Sequence, residues 1–202
     1  MREDVLAALP VRRGHFLLES GYHADTWLTL DALFADPEAV APLVAALAGR
    51  LRPYELQGVC GPLLGGAFLA QAIASSIGVR FYYSELVASS DAALLVTKYQ
   101  LPVALRSLVR GERVAVVDDV ISAGSSVRAT VAALTDAGAS ISAVAAFMVL
   151  GDVGWDHFVG HGMPIETLQR RKFEVWAPEQ CPSCRSGTKL EDPREPASPS
   201  VS

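Results

Sequence analysis

Residues 113–130, "RVAVVDDVISAGSSVRAT", constrain this chain more than any other stretch. An apolar run, Val114 to Val117, meets two adjacent carboxylates, Asp118 and Asp119. A string of small and hydroxylated residues follows and opens into a helical pattern from Ser125 to Ala137, with Gly138 as its stop. An unbroken apolar run suits a strand buried on both faces, which belongs in a parallel sheet, and parallel neighbours need helical crossovers. The same alternation recurs. "ELQGVCGPLLGGAFLAQAIASSIGVRFYYSE" reads as short strand, glycine turn, helix from about Gly66 to Ile77 and strand around Val79 to Tyr83, and "SISAVAAFMVLG" is another buried strand. The fold class is therefore α/β, a mostly parallel core sheet with helices on both faces.

In such sheets ligands bind beyond the carboxyl ends of the strands, which is where Asp118 and Asp119 fall. The loop Ser122, Ala123, Gly124, Ser125 and Ser126 offers hydroxyls and backbone N–H groups at a helix N-terminus, an anion site. Carboxylates beside it would repel a free phosphate. A ribose 5-phosphate satisfies both parts, because its neutral cis-diol can donate to the aspartates while its phosphate lies in the loop. An isolated strand–loop–helix would equally admit a plain reading, a strand end and a helix cap.

Composition narrows the partners. The net charge of −5 argues against broad binding to nucleic acid or anionic membranes, which needs surplus Lys and Arg. No apolar stretch reaches the roughly 18 to 20 residues of a membrane span. The start "MREDVLAALPVRRGH" lacks a signal-peptide pattern, so a cytoplasmic setting is expected. Further along, Asp36 can cap a helix, Pro37 suits its first position, and Val40, Leu43, Val44, Leu47 and Leu51 repeat at helical spacing. The stretch Leu86 to Gly111 has no sustained period and is expected to include a mobile loop. The Pro/Ser-rich tail 191–202 is expected to be disordered, leaving 1–190 as a single domain.

The order of apolar run, acidic pair, Val-Ile and small-Ala-Gly-Ser-Ser resembles the phosphoribosyl-pyrophosphate (PRPP) loop of type I phosphoribosyltransferases, and is neither a P-loop nor a dinucleotide fingerprint. "GHFLLESGYHADTWLTLDALFADPE" and "GVCGPLLGGAFLAQAIA" are similar to the N-terminal region and the pyrophosphate turn of orotate phosphoribosyltransferases. The resemblance implies that family's fold, with a small hood mainly in 1–35. It implies displacement of pyrophosphate from PRPP by a pyrimidine, most simply orotate, to give orotidine 5′-monophosphate, in a homodimer, with Mg²⁺ bound through PRPP. Residue by residue, it implies that Asp118 and Asp119 hold the ribose hydroxyls and residues 122–126 the 5′-phosphate. Gly61, Pro62, Gly65 and Gly66 would meet the pyrophosphate, and Ser122 and Arg128 the base.

Departures from the pattern leave alternatives open. Tyr83, Ser84 and Glu85 stand where orotate enzymes carry the cations of a catalytic loop, and Lys98, ahead of Arg106 and Arg110, is the nearest replacement. Glu19 stands where a lysine is common, with His15 and His23 nearby as donors or as structural residues. These differences keep two rivals in play: the same transfer to another base, and a PRPP-binding regulatory protein without turnover. The C-x-x-C of Cys181 and Cys184 is half of a zinc set, with only the distant Cys60 besides. No metal ligand is assigned from it, and a site shared across a dimer stays open.

Overall fold

The computed structural model describes residues 11–18, 20–28, 30–87 and 98–193. It opens with an antiparallel pair, β1 (Val11–Leu17) and β2 (His23–Leu28). A short helix α1 (Asp31–Phe34) leads into α2 (Pro37–Leu51). The α2 start is built as its sequence dictates: the Asp36 carboxylate accepts the backbone N–H groups of Glu38 and Ala39, each at 3.1 Å. Val40, Leu43, Val44, Leu47 and Leu51 are all buried. Each such side chain contributes on the order of 1.5–3 kcal/mol by leaving water.

Next come β3 (Gly58–Pro62), α3 (Gly65–Ile77), β4 (Arg80–Leu86), β5 (Tyr99–Gln100), the single turn α4 (Val103–Arg106) and β6 (Arg113–Ile121). Then follow α5 (Ser125–Asp136), β7 (Ser140–Leu150), α6 (Val153–Gly160), β8 (Ile165–Arg171), β9 (Val175–Trp176) and the one-turn α7 (Pro182–Arg185). The central sheet runs β5-β4-β3-β6-β7-β8, parallel throughout except for the antiparallel β4–β5 edge. Its middle is dry: all five residues of β3 and the last eight of β7 are buried. Apolar clusters cover both faces, one under α2 and α3 and the other under α5 and α6.

Three details differ from the sequence reading. Strand β6 continues past the acidic pair, with Val120 paired to Met148 and Ile121 to Val149, so the loop starts only at Ser122. The ladder continues because β7 is long enough to pair with it. Of the stretch Leu86–Gly111, expected to include a mobile loop, residues 88–97 lie outside the described residues, and the described remainder contains β5 and α4. The hood is not only N-terminal: β9 adds to β2, and Glu191 bridges to Phe16, so β1-β2-β9 and the chain up to 191 form one layer. The backbone N–H of Leu17 donates to the Glu191 carbonyl and that of Glu191 to the His15 carbonyl, both at 2.8 Å. Glu191 therefore belongs to the fold, and the rest of the expected disordered tail, from residue 194, lies outside the described residues.

Candidate active site

From β3 the chain passes through α3 to β4 on one side, then returns as β6 on the other side of β3. The carboxyl ends of β3 and β6 thus flank a reversal of strand order, where a crevice opens. Asp118 and Asp119 arrive there on β6, and the Gly61–Gly66 turn arrives at the end of β3.

These two pieces touch. A methyl group added at Gly61 would lie 2.0 Å from the carbonyl oxygen of Gly66. One at Gly65 would lie 2.5 Å from Asp119 Oδ2, and one at Gly66 2.8 Å from Asp118 Oδ1. Glycine suits Gly61 because the turn's own backbone folds back on it, and Gly65 and Gly66 because the backbone there approaches the acidic pair closely. Leu63 is held by its N–H donating to the Ser84 carbonyl at 2.9 Å, and the Leu63–Leu64 peptide is cis.

Asp118 is buried, and its Oδ2 accepts from Ser126 Oγ at 2.9 Å while its Oδ1 accepts the Asp119 N–H at 3.0 Å. Asp119 Oδ1 accepts the Val120 N–H at 2.7 Å. Burial, and then the neighbouring Asp119 charge, push the Asp118 carboxyl well above the usual carboxylate range, against the pull of those hydrogen bonds. A ligand that donates hydrogen bonds here relieves a cost already built in. Behind the pair, Ser84 and Thr130 hydroxyls meet at 2.7 Å, and Thr130 donates to the Ser126 carbonyl at 2.9 Å, tying β4 to the first turns of α5.

The loop from Ser122 turns through Gly124 at φ +74°, a left-handed conformation that suits glycine. No side chain caps α5 at Gly124, so its first N–H groups are left for another acceptor. The Gly154 N–H donates to the Ser122 carbonyl at 3.0 Å, and a methyl group at Gly154 would lie 2.4 Å from that oxygen, so the start of α6 braces the loop closely.

All of this opens into one cavity of about 270 Å³. Its floor is Pro62–Gly65 with Asp118 and Asp119, one wall is Ser122–Ser126, and the hood adds Leu18, Ser20, Thr26 and Trp27. Gly61 and Gly66 shape the floor from behind. No Lys or Arg is among the described residues of the lining.

Two cations expected at the site, Lys98 and Arg128, are not among the residues that line the cavity. Lys98 lines a separate hollow with Gln100, Arg106 and Asp136, because the Val87 N–H to Lys98 carbonyl bond and the β4–β5 pairing hold it at the sheet edge. Arg128 stands beside His157, whose pKa is lowered by burial first and then by the Arg128 charge. Glu19 lies outside the described residues. Conversely, Ser20, Thr26, Trp27 and Tyr99 line the cavity without having been singled out.

Comparison with known proteins bears on the same elements. The family model described as "Phosphoribosyl transferase domain" matches residues 38–156, from α2 to α6. The chain belongs to the phosphoribosyltransferase family. A curated relative, the orotate phosphoribosyltransferase of Caldanaerobacter subterraneus subsp. tengcongensis, is 30% identical over 183 residues, 91% of this chain and 90% of that one. Among solved structures, Mycobacterium tuberculosis orotate phosphoribosyltransferase in complex with inorganic phosphate superposes with a TM-score of 0.61 at 22% identity, covering 83% of this chain and 92% of that one. Adenine phosphoribosyltransferase from Thermoanaerobacter pseudethanolicus gives 0.66 at 16% identity, covering 85% and 100%. The fold is thus that of type I phosphoribosyltransferases. Because enzymes for a pyrimidine and a purine share it, fold alone does not choose the base. In this phosphoribosyltransferase the acidic pair, the loop and the glycine turn all fall within the family match, while β1, β2 and the tail fall outside it, and of these β2 with the turn before it reaches the cavity.

Proposed function

We propose that this phosphoribosyltransferase transfers the 5-phosphoribosyl group of PRPP to orotate, releasing pyrophosphate and giving orotidine 5′-monophosphate, as a magnesium-dependent homodimer of the cytoplasm. The observation that carries the reading is that the acidic pair and the uncapped start of α5 open into the same cavity. The choice of orotate is supported by the curated relatives that bear that name, at 27–32% identity over most of the chain.

In this reading Asp118 and Asp119 accept hydrogen bonds from the ribose 2- and 3-hydroxyls. The N–H groups and hydroxyls of Ser122–Ser126 hold the 5′-phosphate. The turn Gly61–Gly66 offers backbone N–H groups to the pyrophosphate. The base nitrogen attacks C1 of the ribose as the bond to pyrophosphate breaks, so positive charge grows on the ring while negative charge grows on the leaving group. Fixed carboxylates on one side and amide donors on the other favour that separation, and catalysis is mostly positioning and electrostatics. Among the described residues, the one cluster of His, Cys, Asp and Glu side chains close enough to hold an ion contains no oxygen donor. A Mg²⁺ would be carried in on PRPP oxygens and water, and Asp118 and Asp119 would be the carboxylates available to hold it. When bound, it neutralises departing pyrophosphate.

The position of Arg128 beside His157, away from the lining, favours a second reading in which the same transfer serves another base. One experiment separates them: ultraviolet-monitored consumption of orotate with PRPP and Mg²⁺, run beside pyrophosphate release with a panel of purines and pyrimidines. Orotate loss coupled to pyrophosphate is expected. Pyrophosphate release with another base and none with orotate would overturn the choice of base, and PRPP binding without any release would overturn the enzyme.

A further inference from the structure

At the junction of hood and tail, four side chains converge that the substrate cavity does not use: His15 from β1, His23 from β2, Cys181 at the N-cap of α7 and Cys184 within it. One ligand atom from each lies within 4.8 Å of all the others. His15 Nε2 is 2.9 Å from His23 Nδ1 and 3.4 Å from Cys181 Sγ, and Cys184 Sγ is 3.2 Å from His23 Nδ1 and 3.7 Å from His15 Nε2. A tetrahedron with zinc bonds of about 2.0 Å to nitrogen and 2.3 Å to sulfur has edges of roughly 3.3–3.8 Å, so the donor atoms already sit near its corners.

We propose that His15, His23, Cys181 and Cys184 of a single chain form a structural zinc site. Three arguments support it. First, His15 Nδ1 lies 2.9 Å from the Thr188 carbonyl, to which it donates. That bond fixes the tautomer and leaves the Nε2 lone pair facing the cluster, as ligating histidines generally do. Second, β1 is bulged for the purpose: its register against β2 shifts between Arg13 and Phe16, so that two successive residues, His15 and Phe16, are both buried. Third, the group is a poor hydrogen-bond network by itself, since thiols are weak donors and buried imidazoles facing each other share few protons. His15, His23 and Cys181 are buried, no carboxylate is in the set, and nitrogen with thiolate is the donor chemistry that zinc takes. Four protein ligands leave no open position, which makes the site structural rather than catalytic.

What the ion would do follows from the topology. It would link chain positions 169 residues apart, Cys184 and His15, where β9 contributes only two paired residues to β2. The same hairpin carries Leu18, Ser20, Thr26 and Trp27 over the cavity, so the ion would hold the cavity's roof in place.

The test is metal analysis of the full chain purified without added chelator, followed by replacement with Co²⁺ and visible spectroscopy. About one zinc per chain and the intense d–d bands of tetrahedral thiolate-bound cobalt are expected. Cys184→Ser and His23→Ala should each lose most of that metal, while Cys60→Ala, which alters a buried thiol outside the cluster, should keep it. Stripping zinc from the wild-type protein should lower Tm, a readout independent of whether the variants fold. Less than about a fifth of an equivalent both as purified and after incubation with zinc would overturn the proposal. So would half an equivalent per chain, which would mean a site shared by two copies, or metal retained by both ligand variants.

Discussion

The two polar clusters of this molecule are built in opposite ways. At the mouth of the sheet, Asp118, Asp119 and the glycine turn come from two short motifs, and like charges are crowded together in a buried setting. At the junction of hood and tail, His15, His23, Cys181 and Cys184 come from three separated segments and bring complementary lone pairs to one point. The first arrangement is costly until a ligand arrives. The second becomes favourable once an ion is bound, and its profit goes to the fold. A site for a transient ligand and a site for a resident ion thus leave opposite signatures in stability.

The sharpest way to break this contrast is to remove the charge at the first cluster. Asp118→Asn with Asp119→Asn should weaken PRPP binding by roughly 10²- to 10⁴-fold, since a hydrogen bond to a charged group is worth about 1.5–3 kcal/mol. Calorimetric titration measures it, and unchanged affinity would remove the diol-reading role. Tm in the same double variant should stay level or rise, whereas losing metal at the other cluster should lower it. The pH dependence sharpens the point. Because the Asp118 pKa is raised on folding, the folded chain binds more protons than the unfolded one between the ordinary carboxylate value and the raised one. Stability of the free protein therefore falls as pH climbs through that window, and Asp118→Asn should flatten the fall in denaturant midpoints.

Next in size, Gly61→Ala must push the added methyl group and the Gly66 carbonyl apart, costing about 1–3 kcal/mol of stability and misplacing the turn. Wild-type denaturation midpoints and turnover would show that the turn yields. Arg128→Ala should raise KM for the base by roughly 10- to 100-fold and leave that for PRPP nearly unchanged if it swings to the base in the complex, given the worth of a charge-assisted bond. Equal changes in both would assign it to packing against His157. Lys98→Ala is the smallest effect, with kcat within about twofold, because Lys98 lines the outer hollow and its exposed-loop charge is largely screened. A loss of tenfold or more would bring Lys98 into the active site.

The same contrast accounts for what could be read from sequence. Asp36 capping α2, the buried runs of β6 and β7 and the loop 122–126 each depend on neighbours within a few positions, and the structure has them where local rules put them. Arg128 and Lys98 were harder, because where a long side chain points depends on elements packed beside it, α6 for one and the β4–β5 edge for the other. The hood cluster was beyond local reading altogether. A C-x-x-C appeared as half a set because the other half, His15 and His23, lies more than 150 residues earlier. Long-range pairing, of β9 with β2 and of Glu191 with the β1 backbone, brings the halves together.

The exchange of backbone bonds between Glu191 and β1 gives the molecule a latch whose opening can be timed. The amide protons of Leu17 and Glu191 are each locked by the other strand, so neither can exchange with deuterated water unless both segments part. They should exchange together as one cooperative unit, faster than the amides of β6 and β7 in the dry centre of the sheet. That shared rate would measure how often the tail parts from β1.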